Sequence, residues 1–310
     1  MTDATDSLPQ NDQPQANEVF EEEGLAPQLD NSGESSPDPD RYRGFRGFFR
    51  ELQDDLFIHN KGPEWTWRDL IFLCAFSTLL TLFYYWGRPH YFRTRLRLES
   101  LDRVSPVLTD FLTMVGMGPT WEYYQITPYF YWAFMSIFMR MVLPILLIVF
   151  LFKDQIRDYG YRLVGEVAHA KIYLFLYFFM LPLVIAVSYV ASFQGKYPFY
   201  SGSMKGLDHF VIYQVSYGIQ FFALEAFFRG FVLFALFKRF GYYAVPLMTV
   251  PYCMIHFGKP MPETLAAIAA GIILGFMSLK TRSIWMGAAL HVSVALTMDF
   301  CSLWRLGRFD

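Results

Sequence analysis

The chain has 310 residues, of which 54% are hydrophobic, 19% aromatic and only 17% charged, with a mean hydropathy of +0.25. A soluble domain carries about 45–50% apolar and about 25% charged residues, so composition argues against an aqueous globular fold, and 33 Phe, 20 Tyr and 7 Trp argue against a disordered chain. The net charge of −2 hides an asymmetry: residues 1–40 hold 11 acids and no Lys or Arg, against 17 acids and 26 bases in the rest, a basic apolar body suited to an anionic bilayer rather than to nucleic acid.

Residues 1–45 read as a disordered acidic tail, with five prolines in the first 40 positions and almost no apolar cluster. They lack the basic start and apolar core of a secretory signal. Segment 46–66 follows, mixing Arg with Phe and Leu; it reads as an interfacial helix or as a plain juxtamembrane linker. Segment 67–200 holds the first membrane helices, and segment 201–305 holds the helices that carry most of the intramembrane ionisable groups.

A span needs about 20 apolar residues. Seven candidates follow in order: Trp67–Trp86, Tyr129–Phe152, Ile172–Phe193, Phe210–Phe237, Tyr242–Phe257, Leu265–Leu279 and Ile284–Trp304. The fifth and sixth are short. The period-two alternation of a membrane barrel is absent, so the expected fold is an all-α, polytopic membrane bundle of about seven helices. Lys and Arg counts favour a cytoplasmic amino terminus, with a bacterial inner or plasma membrane as the expected location. An amphipathic helix near 92–115 would hold Arg93, Arg95, Arg97 and Arg103 at the interface. Cys74, Cys253 and Cys301 fall in apolar runs and read as small buried hydrophobes.

Ionisable groups inside apolar helices are costly and face a cavity or a partner. Arg140 reads as a structural partner for a carbonyl or carboxylate. Glu225 and Arg229, four apart, share a helix face and can pair; the pair is either a lock for the bundle or a way to keep a carboxylate charged for chemistry. His256 closes a proline-broken helix, one turn after Tyr252. His291 lies mid-helix, and Asp299 follows two turns later, on a face that can meet the same cavity. Glu263 reads as a first-turn carboxylate without chemistry. Gly271 and Gly275 form a small-xxx-small pattern that lets helices approach closely. One Glu, one Arg and two His on three apolar segments point to one shared polar cavity.

These segments resemble the CAAX-protease and bacteriocin-processing family (the type II CAAX prenyl protease or Abi group). That family's pattern is Glu-Glu-x-x-x-Arg, then Phe-x-x-x-His, then His-x-x-x-Asn. Glu225 to Arg229 fits the second Glu and the Arg, Tyr252 to His256 fits the second motif with Tyr for Phe, and His291 fits the third. The resemblance covers about residues 205–300, and Asp158-Tyr159-Gly160-Tyr161-Arg162 is similar to an element that often precedes the core. Leu224 stands where the family has its first Glu, and Ala295 where it has Asn. The resemblance implies an intramembrane endopeptidase acting on a membrane-anchored protein, either a prenylated terminus or one with a carboxy-terminal sorting helix. Its expected catalytic residues are Glu225, His256 and His291, supported by Arg229, Tyr252 and Asp299. It implies no cofactor and no metal; zinc held by Glu225, His256 and His291 is the rival reading. A catalytically silent scaffold or immunity-type protein on the same fold is the alternative function, and a proton-relaying transporter ranks below it.

Overall fold

The computed structural model describes residues 65–96, 106–118, 120–162 and 169–307. The expectations for the tail, for nearly all of segment 46–66, for Arg97 and Arg103 and for the side chain of Arg95 lie outside these residues. The described residues form helices and turns, with no strand. The principal elements are α1 (Trp67–Trp86), α2 (Tyr124–Leu151), α3 (Ala170–Val187), α4 (Leu207–Glu225), α5 (Leu233–Phe240), α6 (Ala244–Met254), α7 (Met261–Thr281) and α8 (Trp285–Arg305). Large apolar side chains such as Leu174, Phe175, Phe178 and Phe179 of α3 stand exposed, a face that water would not tolerate and lipid does. The chain is a polytopic helical membrane protein.

Six apolar helical stretches are long enough to cross a bilayer. The longest, Leu207–Met254, has 48 residues. At 1.5 Å per residue it would reach about 72 Å, more than twice the roughly 30 Å hydrocarbon core. It folds back at Gly241, whose φ of 53° and ψ of −136° a glycine adopts without a Cβ clash. The fourth and fifth expected spans are therefore the two arms of one turn. The sixth, expected to be short, fills 21 residues because Pro262 and Glu263 lie in its first turn, where proline costs no hydrogen bond and a carboxylate meets the helix dipole.

α8 packs between α3 and α4, α2 lies against α4, and α6 lies against α7. The glycine pattern on α7 serves that last pair: a Cβ on Gly271 would come within 2.7 Å of Thr249 Cγ2, and one on Gly275 within 2.9 Å of Val245 Cγ1. Two aromatic clusters form the interior. One, around Phe72 of α1 and Phe227, Phe228, Phe231, Phe234 and Tyr252, lies mostly after Glu225 in the chain. The other, around Tyr129, Tyr200, Tyr213, Tyr217 and Phe221, precedes it.

The turn Ile156–Gly160 sets the vertical register of the bundle. Gly160 has φ 83°, and a Cβ there would meet Phe234 at 2.7 Å and Ile284 at 2.9 Å; its carbonyl accepts the Ile284 N–H at 3.0 Å. Phe234 and Ile284 are thus level. Glu225 lies nine residues before Phe234 and His291 seven beyond Ile284, about 13 and 10 Å along their helices, so the two meet at one depth. Gly160→Val is expected to lower stability by about 2–3 kcal/mol through overpacking and left-handed strain, read as a lower thermal midpoint in detergent. An unchanged midpoint would remove Gly160 from this role.

A polar clamp closes the same end. Asp154 accepts from Arg68 of α1, from Lys238 of α5 at 2.6 Å and from Tyr159 at 2.7 Å. Burial opposes its charge, but the hydrogen bonds from Lys238, Tyr159 and Arg68 win and hold the carboxyl down at about 2. A carboxylate with a lowered folded-state pKa stabilises above its unfolded value and loses that contribution as pH falls through the folded value. Asp154→Asn is therefore expected to cost about 1–2 kcal/mol at pH 7, with the gap to the parent closing as pH drops from about 4 toward 2. A gap independent of pH would refute the clamp.

Two expectations fail. Arg140 is buried, but its guanidinium lies 3.5 Å over the Phe83 ring, and its Nε and Nη1 have no hydrogen-bond partner among the described residues. A flat, weakly hydrated cation can use an aromatic face in place of a carboxylate. Cys74 is exposed, and Cys253 and Cys301 are partly so, because in a bilayer apolar residues face lipid as readily as core. Near 92–115, Pro89–Tyr91 runs into a wider turn, Phe92–Leu96, and a separate helix covers Pro106–Met114. Arg93 is tied there to the Tyr129 hydroxyl at 2.8 Å.

Candidate active site

Glu225 is the last residue of α4, and Ala226–Val232 continues as π-helix before α5. Such wide turns recur at functional sites. The segment is fully enclosed, and the side chains of Glu225 and Arg229 have no solvent exposure. Gly230 lets this turn sit against the Tyr159 carbonyl, 3.2 Å from where a Cβ would be.

Arg229 Nη1 donates to Glu225 Oε1 at 2.9 Å. The guanidinium lies 3.8 Å over the Tyr252 ring, and Nη2 points to the Ala270 carbonyl at 3.5 Å. The close α6–α7 packing brings that carbonyl within reach. His291 Nδ1 stands 2.6 Å from the same Glu225 oxygen. Oε1 therefore takes both partners, while buried Oε2 has no donor among the described residues. A buried carboxylate costs several kcal/mol unless it is paired, and Arg229 with His291 supplies the pairing.

His256 lies just beyond α6. Its Nδ1 is 2.8 Å from the Tyr252 carbonyl, so that nitrogen carries the proton and Nε2 keeps the lone pair. Burial, and then the Lys259 charge, push the imidazole down to about 3, so it is neutral at ordinary pH. Tyr252 lies between the two histidines, its ring centroid 4.9 Å from that of His256 and 6.4 Å from that of His291. The 15 residues from Glu225 to Phe240 and the 12 from Ala244 to His256 explain this: one arm climbs about 22 Å and the other returns about 18 Å.

Glu225, Arg229, Tyr252, His256 and His291 are thus brought to one place. Asp299 is not with them. It lies eight residues, about 12 Å, along α8 from His291, and its Oδ2 accepts from Gln214 of α4 at 2.9 Å. Glu263, in the first turn of α7, accepts from Tyr197 and from Lys259. Sequence reasoning missed Phe221, whose ring lies 4.7 Å from the His291 ring; its position one turn before Glu225 was the available signal. It also missed Gly160, whose role depends on contacts across the bundle. Leu224 belongs to the apolar cluster around Phe227 and Tyr252. Among the described residues the one group of His, Cys and acidic donors within 4.8 Å of one another is Glu122, Asp208 and His209, away from these groups.

Residues 209–297 match the family model for the Rce1-like type II CAAX prenyl endopeptidase. The match falls within the stretch where the resemblance was expected and includes Glu225, Arg229, Tyr252, His256 and His291, but not Asp299. Comparison with curated proteins gave no match. Comparison with solved structures gave none either.

Proposed function

We propose that this chain, Rce1-like over residues 209–297, is an intramembrane endopeptidase that hydrolyses a peptide bond of a membrane-anchored protein with a Glu/His-activated water. One observation carries the reading: a fully buried carboxylate, Glu225, is held through one oxygen by Arg229 and His291 while the other has no donor among the described residues. An ionised carboxylate in an apolar cavity is a base for water. Glu225 Oε2 takes one proton as the water attacks the scissile carbonyl, while the His256 Nε2 lone pair accepts a hydrogen bond from the water's second hydrogen; the proton on Glu225 then passes to the nitrogen of the breaking C–N bond, which leaves as the amine. His291, held to the carboxylate through Nδ1, is the donor to the developing oxyanion. Arg229 and Tyr252 position Glu225 and touch no reacting atom. The enclosed site strengthens each contact.

The substrate is a prenylated terminus or a chain with a carboxy-terminal hydrophobic helix. The protein sits in a bacterial inner or plasma membrane with its amino terminus in the cytoplasm, supported by the arginines around position 50. A metal-free reaction is favoured over zinc, since Arg229 already sets a cation against the Glu225 charge and His291 Nδ1 is tied to Glu225 Oε1. Cleavage undiminished in chelator is the expected result, and loss restored by zinc would reverse it.

The test is cleavage of a farnesylated CAAX peptide, and of a peptide ending in a hydrophobic helix, by purified protein in liposomes. His256→Ala and His291→Ala are each expected to lower kcat about 10²–10³-fold. Parental rates in both variants would end the assignment. The silent-scaffold reading draws on Leu224 and Ala295, both buried and apolar; it requires that the parent cleave neither peptide.

A further inference from the structure

We infer that a groove between α3, α4 and α8 binds one acyl chain of an anionic phospholipid, a property independent of the proteolytic reading. The groove encloses about 870 Å³ and is walled by apolar side chains, among them Leu181, Val211, Leu296 and Phe300. It follows α8 from Val292 to Arg305, about 20 Å of helix. Leu181, Val211, Leu296 and Phe300 offer a chain of methylenes apolar contact along that length.

The groove's mouth fixes the head group. Trp304 and Arg305 end the α8 span, where aromatic and basic residues meet lipid head groups. Arg305 is exposed and lies 3.6 Å over the Tyr189 ring. Among the described residues no carboxylate pairs with it. A lone cation at that depth favours an anionic head group over a zwitterionic one by about fivefold.

The far end of the groove is next to the site. A Cβ on Gly218 would come 3.4 Å from Val292 Cγ1, and Val292 adjoins His291. Gly218 keeps this end open. Of the polar side chains inside, Tyr177 and Thr297 are mutually hydrogen-bonded at 2.9 Å, and Gln214 donates to Asp299 at 2.9 Å.

The experiment uses the full chain in nanodiscs with phosphatidylglycerol or phosphatidylcholine brominated on the acyl chain. Quenching of Trp304 is read as the difference from Trp304→Phe. Brominated phosphatidylglycerol is expected to quench at about one fifth the mole fraction that phosphatidylcholine needs. Arg305→Gln is expected to remove that preference. Gly218→Leu is expected to cut quenching by either lipid several-fold. Val211→Phe, at a lipid-exposed position where folding is undisturbed, is expected to do the same. Equal quenching by both lipids in the parent, or quenching unchanged by both Val211→Phe and Gly218→Leu, would overturn the inference. Displacement of the lipid by a hydrophobic helical peptide would assign the groove to a protein and overturn it as well.

Discussion

Glu225→Gln is expected to lower cleavage by about a thousandfold or more per folded molecule, the upper range for loss of a general base. Glutamine preserves the side chain's volume and can still accept from Arg229 Nη1 at the 2.9 Å position. It cannot take a proton from water at neutral pH. The loss should fall on kcat with little change in KM, since no substrate contact is removed. A merely structural Glu225 would give the opposite pattern: lower folded yield, but normal turnover by the molecules that fold.

Arg229→Met is expected to give the largest loss of stability in the bundle. It leaves a carboxylate without solvent exposure held by His291 alone, and removing one partner of a buried ion pair costs about 3–5 kcal/mol. The cation's contact with the Tyr252 face is lost too. Glu225→Gln with Arg229→Met removes both charges at once. The double variant is therefore expected to melt above Arg229→Met alone while staying inactive. Additive destabilisation would mean that the two side chains are not coupled through their charges. Thermal midpoints of four proteins in one detergent decide this.

The membrane class, the helical architecture and the positions of most spans were legible because a bilayer demands long apolar runs. The grouping of Glu225 with Arg229 followed from helix periodicity alone, and that of Tyr252 with His256 likewise. What periodicity could not supply was rotation and depth between helices. Asp299 stands only about 80° round α8 from His291, which suggested a common cavity; two turns of rise take it to Gln214 instead. Arg140 was assigned a polar partner because charge dominates a sequence-level view, yet Phe83 supplies its contact. The levelling of Glu225 with His291 depends on Gly160 touching two helices far apart in the chain, a relation that no local pattern encodes.

The central claim is that Glu225 alone serves as the base, although Leu224 stands where a second carboxylate would be expected. Leu224 is buried in the apolar cluster, so a charge there would lack the pairing that Arg229 and His291 give Glu225. The most direct measurement compares the parent with Leu224→Glu, in liposomes, on the farnesylated CAAX peptide and the helix-anchored peptide. The parent is predicted to cleave at least one of them, and Leu224→Glu to cleave it no faster. A parent inactive on both, with activity appearing in Leu224→Glu, would contradict the account.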